Sequence, residues 1–337
     1  LKTGEIDRIW HWQITAVVGA VLFAVLLLAV SFGPISLDFE KILRTLFGLS
    51  GGLQDEEKAL FLQLRLPRVL LAALVGAALA TSGAVYQTVF RNPLADPYLL
   101  GAAAGAGLGA TLALTGGSSS FYAALPLFAF IGAALAVAAT FLISGRSYAD
   151  PAMLLLSGIA IGSFATAVQT YLQQRNSEVL RPVYSWILGQ LTVADWQVVK
   201  WASFYIVLAL AVLIRMSRLL DGLLLSDEEA FSLGISPNKV RIIAIGAATL
   251  ATATAVSASG LIGFVGIVVP HLVRGITKRA TNRALFTVAL FGAAFLVLAD
   301  LGARTLLSPA ELPIGVITAF VGAPFLLFVL RAKRVLK

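Results

Sequence analysis

Ten apolar stretches, near residues 13–33, 66–88, 97–116, 122–144, 152–173, 197–216, 240–258, 260–277, 284–303 and 313–331, follow one another with mostly short polar connections. A helix needs about 20 apolar residues to cross the hydrocarbon core of a bilayer. Lipid offers no hydrogen bonds, so a spanning segment of this kind satisfies its backbone as a helix. The sequence therefore predicts an all-α polytopic membrane protein of about ten transmembrane helices, organised as a single transmembrane domain over 1–337. Composition agrees: 59% of residues are hydrophobic and 12% charged, about half the charged fraction usual for a soluble domain. The eighth stretch carries Gly260, Gly263, Gly266 and Pro270, so a broken or re-entrant segment is expected there. The first is too long for a signal-peptide core and lacks a small-residue cleavage pattern, so it reads as a retained span.

An even number of spans puts both termini on one side. With the termini cytoplasmic, 16 of the 25 basic residues but 8 of the 17 acidic ones fall inside, so the whole formal excess of +8 lies on the cytoplasmic face. That is the bias the positive-inside rule expects, and it accounts for the charge without nucleic acid as a partner. Trp10, Trp12, Trp196 and Trp201 lie at the starts of spans one and six, where an interfacial aromatic belt would put them.

Cysteine is absent and the histidines are only His11 and His271, which leaves almost no ligands for zinc, haem-thiolate or thiolate chemistry. None of the eight lysines follows a glycine, so there is no Walker A pair to hold nucleotide phosphates. No cofactor is expected in the chain, and any ATP it uses must be bound elsewhere.

Two extramembrane segments stand out. Segment 34–65, read as external, has Phe39, Ile42, Leu43, Leu46 and Phe47 at helical spacing among charges, which predicts a short amphipathic surface helix. Segment 217–239, read as cytoplasmic, has Ser226 followed by Asp227, Glu228 and Glu229, an N-cap with acid in the first turn. An apolar face of Ala230, Phe231 and Leu233 follows, with Gly234 as the stop and Pro237 beyond. An exposed phenylalanine on a short capped helix points to a docking cytosolic partner. Ser82–Gly83 before Pro93 and Ser259–Gly260 before Pro270 share one spacing on spans of opposite direction, which suggests an inverted repeat. Gly101, Gly105 and Gly109 form a packing stripe on span three. On span five, Gly158, Gly162, Thr166, Gln169 and Gln173 share a face whose glutamines need water or protein, and this face is expected to line a pathway.

The segments RLPRVLLAALVGAALATSGAVYQTVFRNPLADPYLLGAAAGAGLGA (65–110), SGLIGFVGIVVPHLVRGI (259–276) and ELPIGVITAFVGAPFLLFVL (311–330), with Ala299–Asp300 and Ala303–Arg304 between the last two, closely resemble the permeases of type II ABC importers. That group moves vitamin B12, ferric siderophores and haem. The resemblance implies ten helices per subunit and a pathway at the two-fold axis between two copies of the chain. It also implies two cytosolic ATPase subunits that bind ATP and Mg, an extracytoplasmic substrate-binding protein, and location in a bacterial or archaeal cytoplasmic membrane. Carried onto this sequence, binding-protein docking falls on Arg65, Arg68 and Arg304. ATPase coupling falls on 221–236, with Ser226, Asp227, Glu228, Glu229, Phe231, Leu233 and Gly234. The cytoplasmic gate falls on Asn92 and Leu94, and on Asp150 and Pro151, where the family's usual Ser/Thr-rich stretch is replaced by Ala149–Asp150–Pro151–Ala152. A ferric siderophore is the expected cargo, with haem or vitamin B12 as alternatives. An ion-coupled secondary transporter would need ionisable groups in the spans, for which Asp300 is the clearest candidate.

Overall fold

The computed structural model describes residues 2–33, 35–117, 123–145, 151–192, 194–277 and 284–335. Among them there is no strand. Each predicted apolar stretch contains one helix. Seven are long and apolar enough to cross a membrane, and three shorter apolar ones cover Ala102–Thr115, Val265–Thr277 and Ile314–Val329.

In chain order the helices are α1 (Lys2–Ser31), α2 (Phe39–Leu46), α3 (Asp55–Ala59), α4 (Leu66–Val89), α5 (Ala102–Thr115), α6 (Leu125–Ser144), α7 (Pro151–Arg175) and α8 (Leu180–Ile187). There follow α9 (Trp196–Arg215), α10 (Ser217–Gly222), α11 (Asp227–Ser232), α12 (Pro237–Ser259), α13 (Val265–Thr277), α14 (Leu285–Thr305) and α15 (Ile314–Val335). Prolines stand in the first turns of α6 and α12, where a missing N–H removes no helical bond. Pro67, near the start of α4, follows a π-helical stretch (Leu60–Arg65) that joins α3 to α4 without a break.

Helix α4 is the centre of the bundle. It packs on α9, α12, α13 and α14, and most of its length is buried, whereas α1, α6, α7 and α9 are buried over only about a third of their length or less. Small residues make this closeness possible, as packing between apolar helices in lipid requires. A Cβ on Gly76 would overlap the Gly292 carbonyl on α14, and one on Gly83 would overlap Gly266 on α13. Two glycines of the stripe on span three behave as read, Gly105 meeting Gly132 and Gly109 meeting Phe128, both on α6; Gly101 stands before α5 with φ 81° and faces α7 instead. Polar side chains inside the bundle are spent on neighbouring helices. Ser82 donates to the Ala248 carbonyl at 3.0 Å, Tyr86 and Thr249 share a hydrogen bond of 2.9 Å, and Gln87 donates to the Gly266 carbonyl at 3.0 Å.

The eighth stretch is broken. Residues 260–264 are irregular, with positive φ at Gly260 (71°) and Phe264 (68°), and α13 then runs for 13 residues, about 20 Å against a core of about 30 Å. Pro270 sits inside α13. The proposed repeat marker does not mark equivalent positions. Ser82 and Gly83 lie within α4, whereas Ser259 ends α12 and Gly260 has left it; Pro93 is in a turn and Pro270 in a helix. Three small residues at one spacing are compatible with either setting. In the 34–65 segment, α2 is capped by Asp38, which accepts from the Glu40 N–H at 2.8 Å, and buries Ile42 while Phe39, Leu46 and Phe47 remain exposed.

Candidate functional site

Segment 217–239 builds the short helix α11 by a reciprocal cap. The Ser226 hydroxyl accepts from the Glu229 N–H at 3.2 Å, and the Glu229 carboxylate accepts from the Ser226 N–H at 3.0 Å and hydroxyl at 2.9 Å. Those bonds hold the Glu229 carboxyl below its ordinary range. Gly234, at φ 76°, ends the element, and the Ile235 N–H returns to the Ala230 carbonyl. The anticipated apolar face divides in two: Ala230 is buried, while Phe231 and Leu233 are 59% and 67% exposed.

Asp227 is more than a first-turn acid. Arg241, on α12, donates to its two oxygens at 2.7 and 3.0 Å, and Arg91 lies 3.4 Å away. The Arg241 hydrogen bonds are the main reason its carboxyl titrates low. Neither arginine was anticipated here; Arg91, which opens the RNPLADP motif, was visible in sequence but its partner was not.

The turn after α4 is shaped by local side-chain bonds. Asn92 accepts from the Leu94 N–H across Pro93 and Asp96 from the Tyr98 N–H across Pro97, each at 2.9 Å. Leu94 is exposed. Burial pushes the Asp96 carboxyl up to about 6. Pro97 is seated against Gly266, and the Tyr98 hydroxyl donates to the Ile262 carbonyl at 3.0 Å while accepting from the Ile262 N–H at 3.1 Å. The structure therefore brings the 92–94 turn into one cluster with segment 223–227 and the break before α13. Asp150 lies outside the described residues, and Pro151 begins α7.

Arg65, Arg68 and Arg304 also come together, but not as free guanidinium groups. Arg65 is buried and donates to the carbonyls of Val30 and Ser31 at 2.9 Å and of Ile35. Arg304, also buried, donates to the Ala29 carbonyl at 2.9 Å and pairs with Asp300 at 3.0 Å. Both therefore finish the end of α1, whose last carbonyls lack helical partners. Two of the three arginines to which the resemblance assigns docking are thus buried. Only Arg68 reaches the surface, with 13% of its side chain exposed, and it bridges Asp300 and Glu311 at 2.9 Å each.

Part of the α7 face lies against the chain around residues 99–107. Gly158 packs on the Leu99 carbonyl, Gly162 approaches Gly101, and the Gln169 amide lies against Gly107 on α5. These three serve helix packing, with Gln169 facing protein; Gln173 is half-buried and Thr166 exposed. An apolar cleft of about 620 Å³ lies between the 260–264 break and α15, lined by Ile187, Leu188, Phe264, Val316, Phe320 and Pro324. The glycines around residue 260 were its only sequence signal.

Comparison with known proteins matches the family model for the FecCD transport family over residues 21–332. The chain belongs to the FecCD transport family. Among FecCD relatives, the cobalamin import system permease BtuC of Halobacterium salinarum is 40% identical over 289 residues, covering 85% of this chain and 77% of that protein. The hemin transport system permease HmuU of Yersinia pestis is 38% identical, over 94% of this chain and 95% of its own. The Fe(3+) dicitrate transport system permease FecD of Escherichia coli is 38% identical, over 83% and 87%. A solved metal-chelate type ABC transporter, described as inward-facing, superposes with a TM-score of 0.85 at 31% identity, covering 95% of this chain and 99% of that one. As a FecCD protein with several apolar helices, the chain is a multi-pass permease of the inner membrane.

Proposed function

We propose that this chain is the transmembrane subunit of an ATP-driven importer, forming with a second copy the pathway for a large metal chelate, a ferric siderophore in the first instance. Ten crossings with both termini cytoplasmic accommodate the seven long and three short apolar helices. The observation that carries the reading is α11: a capped helix of six residues that leaves Phe231 and Leu233 in solvent while Asp227 fastens it to α12. Burying such side chains against a partner is worth roughly 1.5–3 kcal/mol each, and a cytosolic ATPase is the partner proposed. ATP and Mg bind to that subunit, and this chain holds no cofactor.

On the outer face a substrate-binding protein docks over Arg68 and Glu311, with Arg65 and Arg304 supporting the surface from behind. The 260–264 cleft faces the second copy and the pathway. Asp300 argues against ion coupling, because its buried carboxylate is already placed between Arg68 and Arg304. A cobalamin cargo is the second reading, favoured by the 40% identity to a cobalamin permease. The test is competition in liposomes carrying the whole assembly: a ferric hydroxamate, ferric citrate, haem and cobalamin are offered together and uptake is followed. ATP-dependent accumulation of the iron chelate supports the first reading, and of cobalamin the second.

A further inference from the structure

Arg91 occupies an unusual position in the backbone and spans an unusual distance in sequence. Its φ of 47° lies in the left-handed region, which non-glycine residues seldom adopt. Its Nε donates to the Leu223 carbonyl at 2.9 Å and its Nη2 to the Leu225 carbonyl at 2.5 Å, across 132 and 134 residues. The contact with Asp227, at 3.4 Å and 44% exposed on the Arg91 side, is a weak surface pair. The carbonyl bonds carry the attachment. They hold the linker between α10 and α11, which Asp227 fastens on its other side to Arg241 of α12.

Arg91 is also the residue before Asn92. Whatever moves the linker therefore pulls on the start of the turn that carries Leu94. The far end of that turn is tied to the helix break through Tyr98 and Ile262 and through Pro97 and Gly266. We propose that Arg91 is a positioning residue that couples the α10–α11 linker to the 92–97 turn, so that displacement of α11 by the ATPase is delivered to the gate. This rests on the functional reading above. A planar fork serves two carbonyls at once in fixed geometry, and a lysine ammonium does not reproduce it.

The chain has no cysteine, so one introduced cysteine, labelled before assembly with the partner subunits, gives one label per copy. In the assembled transporter, spin labels at Leu94→Cys report the distance between the two gate turns, and labels at Leu224→Cys report the linkers, each with and without ATP under vanadate trapping. In the otherwise unaltered chain both distances shift with nucleotide. With Arg91→Gly, which suits the positive φ, the Leu224 shift persists and the Leu94 shift is lost; with Arg91→Lys the Leu94 shift is reduced. A full Leu94 shift in Arg91→Gly overturns the proposal. Should that variant not assemble, a full shift in Arg91→Lys overturns it equally. If neither label moves in the unaltered assembly, the functional reading itself fails, which is a separate result.

Discussion

Gly83 on α4 and Gly266 on α13 approach so closely that a Cβ on the first would overlap the carbonyl of the second. Backbone cannot yield as a flexible side chain can, so Gly83→Ala must separate the central helix from the half-length one. Overpacking of this kind costs about 1–3 kcal/mol. Thermal unfolding in detergent is expected to show a clear loss for Gly83→Ala. Gly246→Ala, where nothing lies within 4 Å, should be neutral or slightly stabilising because alanine is the better helix former.

Phe231→Asp should abolish or sharply weaken co-purification of the ATPase. Losing roughly 1.5–3 kcal/mol of burial corresponds to about 10- to 150-fold in affinity. Ser226→Ala removes one side of the cap and should cost less, about 0.5–2 kcal/mol of helix stability. Unchanged association for Phe231→Asp would make α11 an ordinary surface turn.

Arg304 and Arg68 should separate by readout. Arg304→Ala leaves a buried carboxylate with one partner fewer and the end of α1 uncapped, so it is expected to destabilise the chain, by up to about 3–5 kcal/mol. Arg68→Glu should weaken binding-protein docking, more at low salt than at high salt, and should also lower stability, because Asp300 loses its other partner and gains a carboxylate neighbour. A stable Arg304→Ala chain with defective docking would return that residue to the interface.

Asp96 gives a pH signature. Its carboxyl is raised from 3.8 to about 6 by burial, so the folded chain binds the proton more tightly than the unfolded one. Stability therefore falls as pH rises from about 4 to 6, and the full penalty applies above that range. Asp96→Asn keeps an acceptor for the Tyr98 N–H without the charge. It should be more stable than the parent at pH 8 and indistinguishable below pH 4, as read by thermal unfolding across pH.

What the sequence revealed and what it concealed follow from range. The apolar stretches, the Ser226–Glu229 cap, the Gly234 stop and the interrupted eighth stretch are local, set by hydrocarbon length or by groups three to five residues apart. The partners of Asp227 are not, since Arg241 is 14 residues away and Arg91 is 136. The same holds for Arg65, which looked like an external cation until the carbonyls of Val30 and Ser31 were placed beside it, and for Gln169, whose neighbour Gly107 has no side chain to announce it. Interhelical contacts of this kind depend on which faces meet, and uniformly apolar helices carry little periodicity to say so.

The central claim is that this chain is a conduit driven by a separate ATPase. It is tested most directly by measuring uptake of a ferric hydroxamate into liposomes containing the chain alone or the chain with its ATPase and binding protein. Proton or sodium gradients are imposed in one arm and ATP is supplied in the other. Uptake is expected only in the complete assembly and only with ATP, with no saturable nucleotide binding by the chain alone. Gradient-driven uptake by the chain alone would contradict it.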